Sequence, residues 1–124
     1  MSELDARGLP PGYPLQPDWE LTPREVRDLR AGPERMVLVD VRTAQERAIA
    51  CIEGSVHIPL SEIESRADEL RAHEDHMVVT VCHHGVRSLR AAAALRRAGF
   101  DQVRSLAGGI HLWSMDIDPA VPIY

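Results

Sequence analysis

Only two cysteines, Cys51 and Cys82, occur in the 124 residues. Two thiols are too few for a disulfide framework, and in a reducing compartment a single structural bridge is the less expected outcome, so two free thiols are expected. Aromatic residues are scarce, at 4%. No excess of basic residues exists: the formal net charge is −5. That balance argues against a general binder of nucleic acid or of anionic membranes, both of which need a basic surface. Any anion site must therefore be local. No apolar run approaches the ~20 residues that span a bilayer. The stretch "MSELDARGLPPGYPLQPDW" has no basic start, apolar core or small-residue cleavage site, so it does not read as a signal peptide. A cytoplasmic location with no membrane partner is expected. There is no internal repeat or low-complexity tract. The length fits one domain able to bury a core without staples.

What is present is an alternation of two patterns. Residues 1–18 are rich in Pro and Gly and predict an irregular, loosely held arm ahead of a folded domain at 19–124. "WEL" predicts a short strand, and "TPREVRDLRAG" a helix with Thr22 as N-cap, Glu25 three residues on and Gly32 as its stop. "MVLVDV" and "MVVTV" are continuous apolar runs of buried-strand length. "TAQERAIA" repeats the capping signature with Thr43 and Glu46, and "SEIESRADELRA" with Ser61 and Glu64, placing Ile63, Ala67 and Leu70 on one face. "SVHIPL" and "QVRSL" predict short strands, "SLRAAAALRRAG" a helix ended by Gly99, and "IHLWSM" a last helical segment after the "AGG" turn. Apolar strands alternating with amphipathic helices predict an α/β fold, a mainly parallel sheet with helices on both faces. In such sheets ligands bind beyond the carboxyl ends of the strands. Cys82 stands at one such end and Arg42 just past another.

The run "VVTVCHHGVRS" carries the chemistry. A loop joining strand to helix turns successive backbone N–H groups, and the helix's own unpaired amides, toward one point. Gly85 permits the dihedrals of a tight curl. A cysteine at the floor of that cradle is favoured as thiolate by the amide dipoles and Arg87, and the thiolate is the nucleophilic form. The alternative is a cysteine that is merely a small buried hydrophobe. Such a filler has no need of a polar, glycine-containing curl with an arginine before a helix.

"VLVDVRTAQERAIACIEGSVHIPL", "VVTVCHHGVRS" and "RSLAGGIHLW", in that order, resemble a single-domain rhodanese of the thiosulfate sulfurtransferase superfamily, from about Trp19 to Trp113. The resemblance implies a five-stranded, mainly parallel sheet. It implies that Cys82 takes sulfane sulfur from thiosulfate or a persulfide donor, carries it as a persulfide, and yields it to cyanide or a thiol. His83, His84, Gly85, Val86 and Arg87 match the rest of the loop, whose amides would cradle the charge. The implied cycle needs no metal and no organic cofactor. Its partners are a small-molecule sulfur donor and acceptor, with a protein thiol as a further acceptor. A partner-specific relay or redox-sensing module remains the alternative. Cysteine phosphatases place five residues between cysteine and arginine; here four intervene, which disfavours phosphatase activity.

Arg42 reads either as a cation guiding substrate or as half of a structural ion pair, with Asp40 as a structural acceptor. Arg87 reads as the holder of an anionic donor or as a pin for the loop. Adjacent histidines on a curl are expected to point apart, and no acidic or cysteine partner has ligand spacing, so His83 and His84 are not expected to bind metal. Their expected contribution is backbone cradle and a mild, pH-dependent positive field. His57 reads as structural or surface, Trp113 as a core edge. Cys51 stands where many rhodaneses have histidine; a buried packing role is the default, and a resolving thiol for Cys82 the alternative.

Overall fold

The computed structural model describes residues 3–124. Its centre is two parallel strands, β2 (Met36–Asp40) and β4 (Met77–Val81), paired from Met36 beside Met77 to Asp40 beside Val81. Outside β4 lies β5 (Val103–Leu106), then the two-residue β1 (Glu20–Leu21); outside β2 lies the equally short β3 (Val56–His57). The order is β1-β5-β4-β2-β3, all parallel. The parallel α/β architecture expected from the alternating pattern is observed, with the five strands that the rhodanese resemblance implies.

Side chains alternate across a strand, so each apolar run feeds two cores. Val37, Val39, Val41, Val78 and Cys82 join Ala91, Ala92 and Leu95 of α3 (Val86–Arg97) on one face. Leu38, Val79, Val81 and Leu106 pack on the other against Val26 of α1 (Pro23–Ala31) and Ile110 and Trp113 of α4 (Gly109–Asp116). Trp113 is a core residue, as expected. The capping boxes at Thr22/Glu25 and Thr43/Glu46 both form, the second opening α2 (Ala44–Ile49).

Two expectations fail. "SEIESRADELRA" is not one capped α-helix but two 3₁₀ segments, Leu60–Glu62 and Ala67–His73. Leu60 N–H is drawn to the Val41 carbonyl (3.0 Å), and the chain winds there through i→i+3 bonds. Ile63, Ala67 and Leu70 still face the core. Nor is the arm loose within residues 3–18, although it holds no helix or strand. Leu9 is fully buried against Ala107 and Leu112. Tyr13 Oη donates to Glu20 (2.8 Å) and accepts from Gly108 N–H (3.0 Å). Burial, with help from Glu20, pushes the Tyr13 phenol up to about 12, so it remains a donor at neutral pH. No helix among the described residues is long and apolar enough to cross a membrane.

Candidate active site

Strand β4 delivers Cys82 at its carboxyl end, where the chain curls and re-enters helix α3. Gly85 is the N-cap of α3 at φ +103°, a left-handed conformation that side-chain-bearing residues rarely adopt. The curl turns Gly85 N–H back onto Cys82 Sγ at 3.0 Å. Ser88 Oγ lies 3.3 Å from the same sulfur and 2.7 Å from Ser105 Oγ on β5. Thr80 Oγ1 donates to the Ser88 carbonyl (2.7 Å), tying the first turn of α3 to β4. Cys82 is thus a buried thiol, 1% exposed, met by an amide and a hydroxyl.

Helix α4 clamps the curl from the other side. Ile110 N–H donates to the Cys82 carbonyl (2.8 Å) and His111 N–H to that of His83 (3.1 Å). This approach requires Gly109, at φ +64°: a Cβ there would fall 2.5 Å from the Cys82 carbonyl oxygen and closer still to that of His83. "AGG" is more than a turn: its second glycine also lets α4 touch the loop. We predict that Gly109→Ala costs about 2–4 kcal/mol, from left-handed strain plus displacement of the loop backbone. A urea titration together with a sulfur-transfer assay checks this; unchanged midpoint and rate would refute the clamp.

Arg87, in the first turn of α3, does not stand free. Both its terminal nitrogens donate to Glu46 of α2, at 2.6 and 2.9 Å. Glu46 also accepts from Tyr124 Oη (2.7 Å), which in turn accepts from Arg42 (2.9 Å). The Arg87 guanidinium holds the Glu46 carboxyl well below the usual carboxylate range, against the opposing effect of burial and with Tyr124 assisting. A depressed carboxyl stabilises the fold above its unfolded value of 4.5 and loses that contribution as pH falls below it toward the folded value. Glu46→Gln should therefore flatten the acid limb of a stability–pH curve below about 4.5. Thermal melts at stepped pH check the slope.

Arg42 resolves to the structural alternative. It is wholly buried, and its guanidinium donates to both Asp40 oxygens (2.9 and 2.6 Å), the Ala50 and Glu46 carbonyls and Tyr124. Nothing is left to guide a substrate. His57 is structural too, its Nε2 2.8 Å from the Arg42 carbonyl. Cys51 is exposed rather than packed, and both cysteines are free thiols. Val86, the first residue of α3, points outward, 70% exposed.

His83 and His84 do not point apart. Their ring centroids lie 4.0 Å from one another, and His111 from α4 completes a cluster, 6.1 Å from His83 and 4.9 Å from His84. Tyr124 stacks on His83 at 3.9 Å. Burial, then the two neighbouring rings and Arg87, push the His84 imidazole down from its ordinary value. Reading the sequence missed Glu46, His111 and Tyr124 at this site. Glu46 carried a signal already explained by capping; the other two carried none, because only the docking of α4 and the tail brings them there.

A groove of about 670 Å³ runs beside Arg87, with Arg90 and Arg97 on its α3 wall and Leu60, Ile63 and Glu64 opposite. Two of its three arginines are paired, Arg87 with Glu46 and Arg97 with Glu64.

A parallel α/β sheet that ends in a glycine-curled, amide-contacted thiol defines the class of this protein. The chain belongs to the rhodanese-like domain family, whose pattern matches residues 22–116. It is 38% identical over 104 residues to the probable adenylyltransferase/sulfurtransferase MoeZ of Mycobacterium tuberculosis, covering 84% of this chain but 26% of that protein. The chain thus spans about a quarter of the length of that relative. It is also 38% identical over 81 residues to the putative sulfur carrier protein YrkF of Bacillus subtilis, covering 65% of this chain and 43% of that one. Among solved structures, the human single-domain sulfurtransferase TSTD1 superposes with a TM-score of 0.67 at 29% identity, covering 78% of this chain and 96% of its own. A rhodanese-like domain protein from Staphylococcus aureus gives 0.73 at 26% identity, covering 86% and 98%.

Proposed function

We propose that this chain is a sulfurtransferase that moves sulfane sulfur from thiosulfate or a persulfide donor to cyanide or a thiol, through a persulfide on Cys82. The Cys82 thiolate attacks the outer sulfur of the donor. The donor's S–S bond breaks, and with thiosulfate the leaving group is sulfite. The acceptor then attacks the terminal sulfur of the persulfide, forming thiocyanate or a new persulfide and returning the thiolate. The first step exchanges one sulfur–sulfur bond for another; the second breaks the persulfide S–S bond and forms a C–S bond with cyanide or a new S–S bond with a thiol, so sulfane sulfur moves with no external oxidant or reductant. The observation that carries this reading is the Gly85 amide aimed at Sγ from the strand-end curl. Fixed N–H dipoles at the sulfur favour the negative charge carried by both thiolate and persulfide. The backbone amides of His83, His84, Val86 and Arg87 would supply the rest of that wall.

The test is an intact mass, without reductant, before and after incubation with thiosulfate, followed by peptide mapping. The expected result is one added sulfur on the peptide that contains Cys82, lost on treatment with cyanide. A free, reactive thiol that takes up no sulfur would overturn the thiosulfate reading.

A second reading, relay from a dedicated protein donor, is favoured by one observation: Glu46 occupies the Arg87 fork that a thiosulfate dianion would use. The two readings part at Glu46→Gln. If Arg87 binds the donor, weakening its internal partner lowers the thiosulfate KM several-fold, since hydrogen bonds to charged groups are worth about 1.5–3 kcal/mol. An unchanged KM, measured by initial rates with cyanide as acceptor, would leave Arg87 as a pin for the loop.

A further inference from the structure

The cluster of His83, His84 and His111 is not explained by sulfur transfer. Each offers one imidazole nitrogen, and the three ligand atoms lie within 4.8 Å of one another. Two buried ring nitrogens, His83 Nε2 and His111 Nδ1, have no hydrogen-bond partner. Buried polar atoms are paired in nearly all native structures, so two orphans in one cluster call for a ligand that accepts lone pairs. We propose that His83, His84 and His111 bind a zinc-class divalent transition metal ion.

The framework for such a site is already rigid. The His111 amide donates to the His83 carbonyl, and the neighbouring amide of Ile110 to that of Cys82, so the backbones of two ligands are fastened to each other. Tyr124 covers one face of His83 and limits its rotation. His84 is the exposed member and keeps the freedom to close the set. A tetrahedral centre with Zn–N bonds of about 2.0–2.1 Å needs its nitrogens about 3.4 Å apart. Closing from 4.8 Å or less asks for a shift of roughly an ångström, within reach of a turn of the His84 side chain.

The donor set chooses the metal. Three imidazoles with no carboxylate suit borderline ions such as Zn²⁺, Ni²⁺ or Cu²⁺ and exclude Mg²⁺ and Ca²⁺, which take oxygen. Cys82 is not part of the set; its sulfur is engaged by Gly85 and Ser88. Three ligands leave a fourth coordination position open.

The experiment uses the full chain, stripped with chelator and titrated with Zn²⁺ in competition with a chromophoric chelator. Co²⁺ substitution serves as the spectroscopic probe. One ion per chain is expected. Affinity should fall at least about tenfold in His84→Ala and in His111→Ala, and further in the double variant, each lost ligand removing a bond to the metal. Circular dichroism and metal-free melting confirm that each variant is folded, and His84, being exposed, is the substitution least able to disturb the fold. Two controls keep their affinity: the double change His73→Ala/His76→Ala, which removes the other close histidine pair, and Cys82→Ser. The cobalt spectrum should show ligand-field bands without thiolate charge transfer. The proposal is overturned by zinc binding that is absent, that survives loss of His84 and His111, or that disappears in either control. Because Cys82→Ser cannot carry sulfur yet is expected to bind zinc, this result stands or falls separately from the sulfurtransferase reading.

Discussion

Replacing Cys82 with serine is expected to remove sulfur transfer while the domain stays folded. The rate should drop by on the order of 10³-fold or more, because an alcohol at neutral pH can neither attack a sulfane sulfur nor hold it as a persulfide. Stability should change by only about 1–2 kcal/mol, the range for a small polar substitution in a buried site that retains partners. The hydroxyl inherits the Gly85 amide and the Ser88 hydroxyl as hydrogen-bond partners. The measurement is turnover with thiosulfate and cyanide alongside a urea titration. Sulfur transfer retained in the folded variant would defeat the mechanism. A collapse in stability would instead mean that Cys82, 1% exposed in the α3-side core, acts first as a packing residue.

The largest loss of stability is expected at Asp40, not at the loop. Asp40 ends β2 with 2% of its surface exposed, and its carboxylate meets Arg42 through two hydrogen bonds, Arg47 at 3.1 Å and the Arg42 backbone amide. Asp40→Ala leaves the fully buried Arg42 guanidinium without a counter-charge. Breaking a buried pair in this way costs about 3–5 kcal/mol, because the surviving charge stays desolvated. For a domain of ordinary stability, about 5–15 kcal/mol in all, that is a large fraction. Asp40→Asn keeps an acceptor and should lose less. Urea midpoints at constant m-value separate the three proteins. The change should also reach the loop, since Arg42 holds Tyr124, Tyr124 holds Glu46 and Glu46 holds Arg87. A loss under about 1 kcal/mol in Asp40→Ala would refute the account of a buried pair.

Some of this is legible in the residue order itself. The runs "MVLVDV" and "MVVTV" become the two central strands because a continuous apolar stretch can only be satisfied with both faces covered. Thr22 and Thr43 become N-caps because a hydroxyl three residues ahead of a glutamate satisfies helix amides locally. Ser61 carries the same signature and does not cap. There the decision belonged to Val41, whose carbonyl takes the Leu60 amide across the fold. The arm is docked for a related reason: nothing in "GLPPGYP" announces that Leu9 and Tyr13 have a surface to meet at Ala107, Leu112 and Gly108.

The site divides along the same line. The order strand, cysteine, curl, helix is a short-range fact written in adjacent residues: Gly85 allows the curl, α3 follows, and Cys82 is left beneath an amide. Through that loop and its flanking segments the sequence also marked the rhodanese-like family. Tertiary structure alone decided which charges are free and which are spent. Arg42 and Arg87 look alike in one dimension, two arginines beyond strand ends, yet one is sealed against Asp40 and the other shared with Glu46 41 positions away. His111 joins His83 and His84 only because Gly109 lets helix α4 press its N-terminus onto the loop. Capping, strand formation and curling are set by neighbours within about a helical turn. Ion pairs and side-chain clusters are set by whichever elements the packed sheet brings together, and no local pattern encodes that.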